Sequence, residues 1–443
     1  MSGATHAFPA GFLWGAATSA HQVEGRNVHN DWWRFEQLPG VIRGGAGSGD
    51  ACRHYERFEE DFDLAAADGH NAHRLSIEWS RIEPEPGRIA RAAVDHYHAV
   101  FAALRRRRLE PVVTLHHFTN PLWIADRGGW ERRDTVDRFG DFARFCAREY
   151  GGEVDWWCTV NEPEVLAFRA YSEGIWPPAV RDNGRALGVI ANLLEAHARA
   201  YRVLHAEDMA DADGDGRACR VGFAKHLVQL APLRPWLPTD RLLARFEDRV
   251  FNEAVLRAAV DGTIALSIPG ARGVRREVPE LRGALDWIGL NYYTRWQVRS
   301  LSPVPHVARA GAPLNDLGWE VWPAGLGEAL ARAARVTGAP VLVTENGVAD
   351  EHDRLRPRAL VEFVLHAAGA VRDGVPLLGY LHWSLLDNFE WADGYHGRFG
   401  LYRVDFADPA RPRARTRSAE LFARIARANG VPPDVAADAG LVL

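Results

Sequence analysis

A chain of 443 residues, 47% hydrophobic and 25% charged, has the make-up of a folded globular protein with a large core, which excludes disordered and membrane-embedded classes. Its net charge of −5 offers no attraction to nucleic acid or anionic lipid, so small neutral ligands fit better. No run reaches the roughly 18 apolar residues of a membrane span, Met1 to Pro9 has no secretory pattern, and Cys52, Cys146, Cys158 and Cys219 form no CxxC pair, so a soluble protein of the reducing cytoplasm is expected.

In chain order, eight short apolar runs are predicted as strands: Phe12–Ala17, Ala72–Ile77, Pro111–Leu115, Asp155–Val160, Arg220–Ala224, Trp287–Asn291, Val341–Thr344 and Leu378–Trp383. Ala/Leu/Arg-rich stretches with helical spacing follow them: Tyr55–Asp68, Val94–Arg107, Thr135–Tyr150, Gly184–Asp208, Thr239–Ala259, Leu326–Val336, Pro357–Asp373 and Ser418–Asn429. Strand alternating with helix eight times is the pattern of a single (β/α)8 TIM barrel, whose active site lies at the carboxyl ends of the strands. Length alone gives a prior of about three domains, but α/β barrels exceed that guide as one unit. No linker splits the series, so one domain is expected over 1–443, with a core from about Phe8 to Asn429 and a loose tail at 432–443.

Some patterns carry no chemistry. Arg105-Arg106-Arg107-Arg108 ends a predicted helix and is read as a solvated helix end; Lys225 is the sole lysine. Asp211-Ala212-Asp213-Gly214-Asp215-Gly216 begins like a calcium loop, but Gly222 stands where the bidentate Glu is needed, so turn chemistry accounts for it and no metal is expected. Gly44, Gly45, Gly47 and Gly49 lack the strand-to-helix context of a phosphate cradle.

Two glutamates stand out because each directly follows an apolar run: Glu162 in Thr159-Val160-Asn161-Glu162-Pro163 and Glu345 in Thr344-Glu345-Asn346-Gly347. In a parallel barrel both emerge on one face. Hydrolysis of an acetal needs a proton for the leaving oxygen and a second carboxylate to stabilise or trap the positive sugar carbon, with the two carboxyls about 5 Å apart in a retaining enzyme. Gln22, Arg74, His117, Asn161, Asn291, Tyr293, Trp383, Glu390 and Trp391 fall at the same strand ends. Amides and carboxylates suit the hydroxyls at a sugar's edge, and an indole suits its C–H faces.

The strings Gly11 to Thr18, Gln22-Val23-Glu24-Gly25, His73 to Arg81, Thr159 to Pro163, Gly289 to Tyr293, Thr344 to Gly347 and Trp383 to Tyr395 resemble family 1 glycoside hydrolases, the β-glucosidase family, in register from about Phe8 to Asn429. The resemblance implies a retaining double displacement in which Glu162 is acid then base and Glu345 is the nucleophile. It implies that Arg74 and Tyr293 contact Glu345, that Asn161 bonds the sugar 2-hydroxyl, that Gln22, His117, Asn161, Glu390 and Trp391 surround the hydroxyls, and that Trp383 lies under the ring. Arg74 would keep Glu345 ionised, while a nearby carboxylate and desolvation would hold the proton on Glu162. Small β-glucosides or oligosaccharides are the implied substrates, with galactosidase or fucosidase side activity and no cofactor; the oligomeric state is left open.

Against the commonest family pattern, His117-Phe118-Thr119 carries a phenyl ring in place of an indole, and Glu164 stands where Trp is frequent. That exchange is expected to remove an aromatic platform near the leaving group and to add a charge there, leaving Trp319 as the candidate for the outer subsite. Glu390 argues against a 6-phospho-β-glycosidase, Glu162 against a thioglucosidase, and the intact glutamate pair against a non-catalytic sugar-binding barrel.

Overall fold

The computed structural model describes residues 6–442. Eight parallel strands close into one barrel: β1 (Leu13–Ala17), β2 (Ala72–Ser76), β3 (Glu110–His116), β4 (Trp156–Asn161), β5 (Arg220–His226), β6 (Ile288–Tyr292), β7 (Val341–Asn346) and β8 (Leu377–Trp383). Their order around the barrel is their order in the chain, and β8 closes the ring on β1, with Tyr380 beside Trp14. The predicted runs match these strands to within a residue or two at most ends.

The outer layer holds α1 (His54–Ala67), α2 (Arg91–Arg106), α3 (Asp134–Tyr150), α4 (Asn183–Glu207), α5 (Pro238–Asp248), α6 (Ala254–Asp261), α7 (Ala324–Thr337), α8 (Arg356–Arg372) and α9 (Arg417–Ala428). α4 shows why such stretches become helices. Asp182 caps it by accepting the Arg185 N–H at 3.0 Å, and Leu187, Ile190, Ala191, Leu194 and Ala198 form a buried stripe at helical spacing. Each leucine buried in that stripe stabilises the fold by about 2 kcal/mol.

Inside the barrel, Ala72, Val112, Trp156, Cys158, Ala224, Trp287, Leu342 and Leu381 form a dry plug. The two indoles, 6.0 Å apart, fill most of it. Gly222 makes room for them, because a Cβ there would lie 2.3 Å from the Trp287 carbonyl oxygen. Beyond the plug, pairing shifts register between Cys158 and Asn161, between Leu290 and Asn291, and between Val343 and Asn346. Such irregularities re-aim side chains, and all three fall at the carboxyl ends of strands.

Several segments depart from expectation. The single helix predicted over Thr239–Ala259 is split by a wide turn at Arg249–Glu253, and a second wide turn spans Phe168–Ser172. The first lets Asn252 clamp β5's exit: its side chain accepts from the Val228 N–H and donates to the Val228 carbonyl. A small sheet of Gln229–Pro232, Arg295–Val298 and His306–Val307 and a hairpin of Thr263–Leu266 with Val274–Glu277 were not predicted, since strands this short show too little alternation. The tail expected to be loose is tied down: Gly430–Val431 pairs with His6–Ala7, and helix Pro433–Asp438 buries Val435 and Ala436 while Arg424 bonds Asp434 and Asp438. The arginine run is paired rather than merely solvated, Arg105 with Glu110, Arg106 with Glu59 and Arg107 with Asp63. Asp211 accepts the backbone N–H groups of Gly214, Asp215 and Gly216, as turn chemistry requires. No helix among the described residues is long and apolar enough to cross a membrane.

Candidate active site

A cavity of about 870 Å³ opens at the carboxyl ends of the strands. Gln22, His117, Glu162, Tyr293, Trp319, Glu345, Trp383, Glu390 and Trp391 all line it. Arg74, Asn161 and Asn291 lie beneath, at most 1% exposed. Every residue proposed from the sequence as catalytic or sugar-binding is therefore in the cavity wall or buried beside it.

The two glutamates are linked by a hydrogen-bonded bridge across the barrel floor. Arg74 on β2 donates to Glu345 at 2.5 Å and to the Asn161 side-chain oxygen at 2.7 Å. The Asn291 amide donates to that same oxygen at 3.2 Å and to Glu162 at 2.7 Å, and Thr344 fixes Asn291 by donating to its oxygen at 2.6 Å. Tyr293 donates to the second oxygen of Glu345 at 2.6 Å. β2, β4, β6 and β7 thus each contribute a member, which only a closed barrel allows. Glu162, Phe118 and Trp391 hold the left-handed backbone conformation at φ 47°, 71° and 54°. Strain of that kind in non-glycine residues concentrates at functional sites.

The surroundings of the two carboxyls act on them in opposite directions. Burial raises Glu345 to about 7, against the lowering effect of Arg74 and with the Glu162 charge adding to the rise. Burial also pushes Glu162 up, but the contacts of His226 and Asn291 outweigh it and leave Glu162 below the ordinary glutamate value. The contact that sequence reasoning missed is that of His226, whose Nδ1 lies 3.3 Å from Glu162 Oε1. Its location at the end of β5 was the available signal.

At the inner end of the cavity the side chains are cross-linked. The Trp383 indole donates to Glu390 at 3.1 Å, and Gln22 donates to Glu390 at 3.4 Å while also holding Asn388 and the Phe389 carbonyl, each at 2.9 Å. Burial and the nearby Glu345 charge raise the Glu390 carboxyl to about 8 although the Trp383 hydrogen bond opposes this. His117 lies parallel to Trp383 and to Trp391, at 6.0 and 6.1 Å. Burial holds it well below the usual histidine value, and its neutral ring leaves Nδ1 without a protein partner. Phe118, the phenyl departure noted above, packs on Trp176 at 4.9 Å.

The outer end carries an apolar wall beside polar side chains that include Arg169, Glu173, Glu247 and His306. Phe168 and Phe251, one from each wide turn, lie 6.0 Å apart and nearly parallel, with Val165, Val228, Phe246 and Trp296 around them. Trp319 stands against Tyr293 at 5.9 Å. Glu164 corrects an expectation: it does not line the cavity. It is fully buried, accepts from Lys225 Nζ at 2.6 Å and from the His226 N–H at 3.2 Å, so its charge faces the protein and not the leaving-group site.

The chain is similar to known glycosidases over nearly its whole length. A family model described as Glycosyl hydrolase family 1 matches residues 4–431. The chain is 32% identical over 504 residues to the β-galactosidase of Pyrococcus woesei, spanning 96% of this chain and 98% of that protein. The β-glycosidase structure from Pyrococcus horikoshii superposes with a TM-score of 0.88 at 34% identity, covering 99% of both chains. The β-glucosidase of Thermotoga maritima in complex with glucoimidazole gives a TM-score of 0.88 at 30% identity, over 96% of this chain and 100% of that one.

Proposed function

The chain belongs to glycosyl hydrolase family 1, the retaining β-glycosidases, and from that premise we propose that Glu162 is its acid/base and Glu345 its nucleophile. The same reading makes the substrate a β-glucoside, cut from the nonreducing end, with β-galactosides and β-fucosides as slower alternatives. The observation that carries it is the bridge from Glu345 through Arg74, Asn161 and Asn291 to Glu162, which binds both carboxyls to one rigid frame beside one cavity.

In the first step Glu162 gives its proton to the leaving oxygen, the C1–O bond breaks with its electron pair going to that oxygen, and Glu345 forms an ester to C1. In the second, Glu162 takes a proton from water, the water oxygen bonds C1, and the ester electrons return to Glu345. The proton must reach Glu162 before the first step. A sugar ring supplies the reason: positive charge growing at C1 favours the ionised form of Glu345, and the leaving oxygen offers an acceptor to a protonated Glu162. Arg74 and Tyr293 stabilise the returning carboxylate.

At the inner end, Glu390 and Gln22 are read as holding the 4- and 6-hydroxyls, His117 Nδ1 and Trp391 as meeting neighbouring hydroxyls, Asn161 as bonding the 2-hydroxyl, and Trp383 as lying under the ring. The lining there contains no arginine or lysine to receive a 6-phosphate, since the cationic side chain of the cavity wall is Arg169, paired with Glu173 at the outer end. The apolar wall of the outer end, with Phe168, Val228, Phe246 and Phe251, supports aryl and alkyl aglycones ahead of longer oligosaccharides. One catalytic unit acting in the cytoplasm completes the reading.

A panel of nitrophenyl glycosides, with Glu162→Ala alongside, tests this. The β-glucoside should be cleaved fastest, and the variant should lose about 10³-fold on alkyl glucosides but far less on dinitrophenyl glucoside. Equal losses on both would remove Glu162 from the proton-donor role.

A further inference from the structure

Beside the acid/base lies a group of charged residues that the mechanism above does not use. Lys225 and Glu164 are both completely buried and meet at 2.6 Å, and Lys225 also donates to the carbonyl of His226. Glu164 in turn accepts the backbone N–H of His226 at 3.2 Å. The residue is therefore held on both sides of its backbone by one ion pair. Its ring is half-enclosed: it lies parallel to Tyr293 at 5.9 Å and edge-on to Phe251 at 5.9 Å, and Nδ1 faces Glu162 at 3.3 Å.

A buried ion pair is a costly way to hold a strand end. Desolvation of both members consumes much of their attraction, and apolar side chains of similar volume are often as stable. Burial indeed drives Lys225 below and Glu164 above their ordinary values despite the pairing. What the pair provides that apolar side chains cannot is a fixed side-chain donor and acceptor for the His226 backbone, whose ring reaches Glu162.

We propose that His226 is a positioning residue that sets the protonation of Glu162, and that the buried Lys225–Glu164 pair is the clamp that holds its imidazole against that carboxyl. The inference rests on Glu162 being the acid/base. As imidazolium or as a neutral N–H donor, Nδ1 favours the carboxylate form of Glu162. That form is the one needed to deprotonate water in the second step, and it is the wrong one for the first. His226 thus trades readiness as an acid for readiness as a base. The charged and titratable groups around the ring are Glu162 and Glu164 after β4, Lys225 on β5, Tyr293 after β6, and behind these Glu345, Arg74 and Arg332.

The test is the pH profile of kcat/KM in His226→Gln and His226→Phe, two substitutions in a ring that lines the cavity rather than the core. With the imidazole gone, Glu162 binds its proton more tightly, so the limb of the bell that Glu162 governs should move to higher pH by about one unit. Replacement by Ala with added imidazole should move it back in a concentration-dependent way. A bell that stays in place in both variants, with normal thermal melting, overturns the proposal. So does a shift that imidazole does not reverse. The reading of Glu162 itself is judged separately by the leaving-group dependence of Glu162→Ala, so the two can fail independently.

Discussion

At the inner end of the cavity the polar side chains form a chain, Trp383 to Glu390, Glu390 to Gln22 and Gln22 to Asn388, whereas the outer end sets an apolar wall of Phe168, Val228, Phe246 and Phe251 beside polar side chains tied only in separate pairs, Arg169 with Glu173 and His306 with Glu247. The inner end is built on strand termini and the segments that lean on them. The outer end is built on two wide helical turns and a small accessory sheet. A site held by mutual hydrogen bonds rejects a ligand lacking a matching hydroxyl by leaving buried groups unpaired, while an apolar wall discriminates only by contact area. The sugar is thus expected to be specified sharply and its aglycone loosely.

The largest effect belongs at the seam between the two ends. Glu345→Gly should lower hydrolysis by about 10⁴-fold or more, because it removes the bond-forming atom and leaves Arg74 and Tyr293 without their anion. Azide added to this variant with an activated β-glucoside should give the α-azide. A β-azide product would deny Glu345 its role.

Next comes the network itself. Glu390→Gln keeps the volume but changes the donors and acceptors offered to Trp383 and Gln22. Loss of two hydrogen bonds to sugar hydroxyls should cost kcat/KM on aryl glucosides about 100-fold. A deoxy substrate lacking the matching hydroxyl should lose as much on the parent protein and little more on the variant. Losses that multiply in full would separate Glu390 from the hydroxyls.

The strand series and the glutamate pair were legible because both leave short-range signals, an apolar run of strand length and an acid directly after it. The donor-end residues were legible through motif strings spread along the chain. His226 and the Lys225–Glu164 pair were not, since their meaning lies in contacts between β5 and the turn after β4, and a residue's partner across a barrel is not encoded next to it. Glu164 was misplaced for the same reason: with Glu162 in the left-handed conformation, the turn after β4 carries residue 164 into the protein and away from the cavity. The wide turns escaped because inserting one residue into a helix barely changes its apolar spacing.

The smallest predicted effect lies at the outer end and asks whether it senses area alone. Phe168 packs parallel to Phe251 and lines the cavity without joining the catalytic bridge, so Phe168→Ala removes contact surface and leaves the hydrogen-bonded frame untouched. An octyl aglycone resting on that ring would lose burial worth about 1 to 2 kcal/mol, or roughly tenfold in kcat/KM, while methyl β-glucoside, too short to reach it, should change little. The informative quantity is the octyl-to-methyl ratio, since general damage to the site lowers both substrates together. A ratio unchanged by the substitution would place the aglycone elsewhere and end the contrast between the two halves of the cavity.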